Sequence, residues 1–285
     1  MTFQAVWKRF KRRKTSLIAL FILLFIFAVA LVGPFFTKYE PTEMALKNKY
    51  APVSLDNPLG TDQLGRDTLT RLIYGSRVSL SIAFAGVLSG CFVGVLLGVL
   101  AGYFGSWVDS LISRLIDVLL AFPGLLLAIA IVAILGNGVL NTMIAVAIFC
   151  VPSMARIVRG IVISLKNQEF VQACQVMGAS TGRILFRHVL TNAMSMIIVT
   201  VTLDLGSSIL TASALSFLGL GVMPPNPEWG AMLNAGKEVM RSYPLGVLAP
   251  GLAITIVVIS FSLVGDGLRD ALDPRLKNLK IGESQ

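Results

Sequence analysis

Six long apolar runs divide this sequence, and each needs surroundings in which its side chains stay out of water. They cover residues 17–36, 78–103, 116–135, 139–154, 193–217 and 247–265. A helix rises about 1.5 Å per residue, so roughly 20 residues cross the ~30 Å hydrocarbon core of a bilayer. The fourth run is short and contains Pro152, which leaves its end open. Hydrophobic residues make up 55% of the 285 and charged residues 14%, too apolar a balance for one soluble core. The expected fold is therefore all-α, a polytopic membrane protein with six transmembrane helices.

The charges are arranged around these spans. Lys8, Arg9, Lys11, Arg12, Arg13 and Lys14 crowd the first 16 residues. The net charge of +9 is the sign that nucleic acid would attract. No aromatic and basic interleaving accompanies it, so nucleic acid is not an expected partner, whereas membrane topology uses such charges directly. Six spans place both termini on one side. With that side cytoplasmic, 16 of the 24 Lys and Arg lie inside and 8 outside, as the positive-inside bias requires. The expected organisation is a basic cytoplasmic N-terminus at 1–16, a first transmembrane anchor at 17–36 and an extracytoplasmic segment at 37–77. A five-helix core at 78–265 follows, with a cytoplasmic connection at 155–192, and then a cytoplasmic tail at 266–285. Ala28-Val29-Ala30 imitates a signal-peptide cleavage site, yet the apolar run continues past it and reads as an anchor.

Residues 169–192, EFVQACQVMGASTGRILFRHVLTN, form a polar, basic island between two spans. Phe170, Ala173 and Met177 are spaced to share one helix face. Gly178 supplies a break, and a second periodic run brings Leu185, His188 and Val189 together, with Arg183 and Arg187 on another side. Two short helices around a glycine make a docking knob for a partner; an amphipathic hairpin lying in the headgroups has the same pattern.

Other stretches are read by their chemistry. Pro58-Leu59-Gly60-Thr61-Asp62-Gln63-Leu64-Gly65-Arg66-Asp67 sets two aspartates and an arginine around glycine turns. Asp62 is placed to fold back as an Asx turn, and Arg66 to pair with Asp62 or Asp67. Trp229, after the Pro-rich run at 224–227, suits a membrane interface, and its loop an outer gate, a landing surface for a partner protein or a simple anchor. Asp266, Arg269 and Asp273 are spaced for local pairing, a clamp at the cytoplasmic end of the last helix. A carboxylate inside a span needs a partner or a wet cavity. Asp117 has Arg114 three residues before it, while Asp204 has no cation within a turn and is the candidate for the translocation path. Gly86, Gly90, Gly94, Gly98 and Gly102 recur every fourth residue, a groove for close helix packing. Cys91, Cys150 and Cys174 lack zinc or redox spacing and read as small apolar residues; no metal site is expected. There is no Walker A sequence, and the lone histidine, His188, lies outside every span, so the chain reads as a transport protein without catalysis of its own. A secondary transporter using Asp204 and an intramembrane enzyme are the competing classes.

The motifs then carry a resemblance. Residues 169–192 resemble the EAA loop of bacterial ABC-importer permeases. Gln172-Ala173-Cys174 stands at the Glu-Ala-Ala triplet, Gly178 at its glycine, and Leu190-Thr191 at a Leu-Pro pair. Ala173, Gly178 and Leu190 agree with that pattern; Gln172, Cys174 and Thr191 depart from it. The PLGTD-x-x-GRD signature, Ala101-Gly102-Tyr103-Phe104-Gly105, Ser216-Phe217-Leu218-Gly219 and the finish Gly265-Asp266-Gly267-Leu268-Arg269-Asp270 extend the match over residues 58–275. They are similar to the C-type permease of dipeptide, oligopeptide and nickel importers. The resemblance implies a type I ABC-importer transmembrane fold in the bacterial cytoplasmic membrane. It implies a second homologous permease, two ATP-binding subunits that use ATP and Mg, and an extracytoplasmic substrate-binding protein, with no cofactor bound by this chain. Glu169, Phe170, Gln172, Ala173, Cys174, Met177, Gly178, Arg187 and Leu190 would then couple to the ATPase. The implied cargo is a di- or oligopeptide; nickel, metal chelates and glutathione are carried by near relatives.

Overall fold

The structure is a computed structural model describing residues 3–272, and among them helices form and no strand does. In chain order the helices are α1 (Phe3–Phe10), α2 (Lys14–Val32), α3 (Thr68–Phe104), α4 (Ser106–Leu120) and α5 (Gly124–Leu135). Then come α6 (Val139–Lys166), α7 (Glu169–Val176), α8 (Thr181–Arg183), α9 (Leu190–Phe217), α10 (Trp229–Gly236) and α11 (Leu245–Leu272). Five helical stretches are long and apolar enough to cross a membrane: Lys14–Phe35, Thr68–Phe104, Val139–Lys166, Thr181–Phe217 and Leu245–Leu272.

The run expected as one span at 116–135 is instead the bent pair α4 and α5, which meet at 91° and bring the count to six if taken as one broken span. Pro123 stands at the break, where it lacks an N–H and disfavours helical backbone at Phe122. Pro152 does the opposite of what its residue type suggests. Helix α6 runs through it to Lys166, so the connection expected from residue 155 begins only after 166. Within a packed bundle, neighbouring helices compensate the lost hydrogen bond.

The bundle is organised by α3 against α6. Gly86, Gly90, Gly94, Gly98 and Gly102 all face α6, and its backbone lies in the groove they leave. A Cβ on Gly90 would sit 2.3 Å from the carbonyl oxygen of Ala147, and one on Gly98 2.6 Å from that of Ala155. A second pair, α9 and α11, packs around Gly265, where a Cβ would fall 2.6 Å from Leu203 Cδ2. Helix α2 lies along α11, and Phe27, Phe84 and Phe261 join α2, α3 and α11 edge to face, with centroids 5.4–6.5 Å apart. Cys91 and Cys150 are buried and Cys174 half-buried, all as free thiols.

Helix α4 is held to α6 by ion pairs. Arg159 binds both oxygens of Asp109, with Nη2 to Oδ2 at 2.6 Å, and Arg156 Nη2 lies 2.7 Å from Asp117 Oδ1. Asp117 is thus compensated across helices by Arg156, not along its own helix by Arg114. The packing of α4 on α6 decides this, which local spacing does not record.

The glycine groove predicts opposite signs for one substitution at two sites. Gly90→Ala should destabilise the purified protein by about 1–3 kcal/mol, because the methyl meets backbone that cannot rotate away. Gly160→Ala on α6 has open space around it and should stabilise by roughly 0.5–1 kcal/mol. Thermal unfolding in detergent, followed by tryptophan fluorescence, checks both.

Candidate functional site

The polar connection between α6 and α9 folds as two short helical pieces around a glycine. Helix α7 ends in a Schellman arrangement: Ala179 N donates to Cys174 O and Gly178 N to Gln175 O, both at 3.0 Å. Gly178 has φ +77°, the left-handed backbone that this closure needs and that a residue with a side chain resists. The second piece differs from a regular α-helix. After α8 it widens to a π segment, Ile184–Val189, before continuing into α9. The wider turn brings Ile184 and Val189, five residues apart, to the buried side together.

Val171, Ile184, Leu185 and Val189 anchor the knob from within. Cys174 Sγ lies 3.8 Å from His188 Nε2, linking the two pieces. Outward, the knob shows Phe170, Val176, Met177 and Phe186, of which Val176 is 88% exposed and Met177 77%. Glu169, Gln172, Ala173, Gly178, Arg183 and Arg187 are exposed beside them, while Leu190 is half-buried. No element among the described residues covers this apolar surface.

At the opposite end of α3, residues 37–67 fold over the bundle through buried charge. Asp62 Oδ1 accepts from the backbone of Leu64 at 2.8 Å and of Arg66 at 3.0 Å, an Asx turn. Its Oδ2 receives Arg66 Nε at 2.7 Å and stands 3.5 Å from Arg71 Nε. Asp67 instead caps α3, accepting from Thr70 N at 2.7 Å. Gly65 is obligatory here: with φ +75°, its Cβ would lie 1.9 Å from Ala45 O. Arg71 reaches on to Pro41 O at 2.6 Å and Pro225 O at 3.3 Å, tying the segment to the Pro-rich loop. A cavity of about 30 Å³ lies among Tyr50, Asp62, Arg66, Arg71 and Tyr243, room for a water and not for cargo. Burial raises the Tyr243 phenol above its ordinary pKa, and the hydroxyl engages Thr68 and Leu59 O.

Trp229 is not at a lipid interface. It is 2% exposed, and its Nε1 donates to Leu72 O at 3.0 Å. Glu228 beside it is fully buried; Oε1 accepts from Ser79 and Oε2 caps α10 through Ala231 N. A glutamate is seldom an N-cap, so Glu228 passes unnoticed in the sequence; its place after a Pro-rich run and before an apolar stretch is the available signal. Pro224-Pro225 is cis.

Asp204 sits midway along α9, half-buried. Its one side-chain hydrogen-bond contact among the described residues is Cys91, with Sγ at 3.9 Å from Oδ2. The same side of α9 carries Thr200, Ser208 and Thr211, a polar stripe at helical spacing. The clamp expected from Asp266, Arg269 and Asp273 takes another form. The ion pair at the end of α11 is interhelical, Asp270 to Arg13 at 2.6 Å, and Asp266 makes none with Arg269. Asp273 lies outside the described residues.

Residues 94–278 match the family described as binding-protein-dependent transport system inner membrane component. Residues 2–52 match the N-terminal TM domain of oligopeptide transport permease C. The chain is 45% identical over 272 residues to the dipeptide transport system permease protein DppC of Alkalihalophilus pseudofirmus, covering 95% of this chain and 90% of the relative. It is 47% identical over 275 residues to the glutathione transport system permease protein GsiD of Salmonella paratyphi A, with the same coverage of 95% and 90%. A solved chain of the MetNI methionine ABC transporter superposes with a TM-score of 0.59 at 17% identity, over 71% of this chain and 96% of that one.

Removing the carboxylate charge in Asp62→Asn leaves Arg66 and Arg71 buried without their counter-ion and should cost about 3–5 kcal/mol in thermal unfolding. Asp56→Asn breaks a solvent-exposed pair with Lys38 and should leave the unfolding transition where it was.

Proposed function

This chain belongs to the family of binding-protein-dependent transport system inner membrane components, and from that premise we propose that it forms half of a path for short peptides across the bacterial cytoplasmic membrane. As a permease subunit of an ABC importer it has no ATPase site; the ATPase resides in partner subunits. The full assembly pairs it with a second homologous permease, two ATP-binding subunits working with ATP and Mg, and an extracytoplasmic substrate-binding protein. Both termini face the cytoplasm, in keeping with the excess of Lys and Arg on that side.

The observation that carries this reading is the knob at 169–190. Phe170, Val176, Met177 and Phe186 are exposed on a scaffold whose other face is buried. A groove on an ATP-binding subunit receives them, helix in groove. Burying Met177 contributes on the order of 1.5–3 kcal/mol before ordering costs, and Phe170, already largely covered, contributes less. Closure of the ATPase pair then moves α7 and, through the continuous helix Thr181–Phe217, tilts the spans. ATP shifts the permease between its states only because the ATPases bind those states with different affinity.

A dipeptide and glutathione, the cargoes in the relatives' names, are both short peptides with an ammonium group and carboxylates. Asp204, with no cation paired to it among the described residues, is a partner for that ammonium along the path. The outer segment braced by Asp62, Arg66 and Asp67 belongs to the outer gate, and the Pro-rich loop before Trp229 is the landing surface for the binding protein.

The decisive experiment reconstitutes the complete importer with Gly178→Pro. Proline cannot adopt φ +77° and removes the N–H given to Gln175. Uptake should vanish while the protein remains in the membrane; substrate-stimulated ATP hydrolysis at the parent rate would refute the coupling role. Met177→Ser should weaken ATPase capture about tenfold, the equivalent of ~1.4 kcal/mol. Asp204→Asn should lower peptide uptake with ATPase capture unchanged, which separates the path from the knob.

A further inference from the structure

We infer that α1 and the basic elbow after it bind the headgroups of anionic phospholipids in the leaflet that α2 enters. This rests on the N-terminal geometry and not on the cargo or on the coupling knob. Residues 1–39 carry seven Lys and Arg and no Asp or Glu. The segment is held in place against the end of α11. Phe10, 3% exposed, lies over Gly267, where an added Cβ would approach Phe10 Cε2 to 2.9 Å. Ser16 Oγ donates to Leu263 O at 2.7 Å, and Arg13 pairs with Asp270 at 2.6 Å.

That pair neutralises Arg13 alone. Lys8, Lys11, Arg12 and Lys14 are exposed, and among the described residues no carboxylate lies within 4 Å of their charged groups. Trp7 stacks on Phe10 with centroids 5.8 Å apart, carries Lys11 Nζ 5.0 Å above its ring, and remains 38% exposed. One turn into α2, Ile18 and Phe21 are 59% and 63% exposed. Four cations and an indole thus stand at the polar end of an apolar, outward-facing span. Amphipathic aromatic rings settle at headgroup level, and clustered Lys and Arg beside a span attract anionic lipid. Charge complementarity and continuity with the lipid-facing span favour a leaflet over a soluble acidic partner.

The test uses the full chain in vesicles of phosphatidylcholine and phosphatidylglycerol. Of its three tryptophans, Trp107 is replaced by Phe and buried Trp229 supplies a constant background, so Trp7 reports. Quenching by brominated phosphatidylglycerol is compared with quenching by brominated phosphatidylcholine. The expected preference for the anionic lipid is about fivefold, the worth of one cation at a charged surface. It should fall to about one in Lys8→Gln/Lys11→Gln/Arg12→Gln/Lys14→Gln, and should shrink with added salt in the parent chain. If the fourfold variant fails to insert, Lys8→Gln/Lys11→Gln alone should lower the ratio. Equal quenching by the two lipids in the parent chain overturns the proposal. So does a contrast that survives neutralisation, or loss of ATPase capture in the variant with lipid contrast unchanged, which would make the surface a protein-docking one.

Discussion

Everything else in this molecule hangs on how closely two helix backbones approach. In lipid the hydrophobic effect does not draw one apolar helix to another, so association depends on packing. The glycine face of α3 lets α6 come near enough for carbonyls and main-chain atoms to fill the groove, as Gly90 against Ala147 and Gly98 against Ala155 show. The pair then acts as a rigid floor. Helix α9 lies on it, α11 lies on α9, and α2 closes the far side through the phenylalanine cluster. Side chains too large for this contact are turned outward, where Phe92 and Leu96 of α3 are exposed to whatever surrounds the bundle.

The two ends of the bundle are finished with different physics. Where residues 37–67 meet α3, charges are taken out of water and paired in place, with Asp67 Oδ1 the buried oxygen left without a partner. Asp62 serves four groups at once, Arg71 ties three segments, and Glu228 is spent on a cap and a serine. Such a network tolerates little rearrangement, because each lost partner strands a buried charge. At the α7 end, the anchoring groups are apolar and few, and the outward surface is left unfinished. Phe170, Val176, Met177 and Phe186 are held in position by a scaffold that gains nothing from exposing them. A stiff end and an incomplete end suit the proposed coupling, in which the permease is moved from one side.

The bends of the chain carry the same lesson on a smaller scale. Pro123 stands at the break of a bent span, whereas Pro152 is absorbed by a helix packed along its length on α3. Gly178 closes α7 through backbone geometry that neighbouring residue types do not reveal beyond the glycine itself. The π segment that follows is a packing solution: it turns Ile184 and Val189 inward while α9 keeps its direction into the bundle.

What could be read from residues alone was whatever depends on composition and local spacing. The apolar runs, the glycine stripe, the Asx turn at Asp62 and the break at Gly178 are short-range facts. So are the motifs that mark an importer permease. Tertiary packing decided the rest. It chose Arg156 over Arg114 for Asp117, Asp270 with Arg13 over a local clamp, and a buried seat for Trp229 in place of an interface. The physical reason is the same in each case. A charged or aromatic side chain has several possible partners within reach of its sequence neighbourhood, and the one it takes is set by which helix is brought alongside.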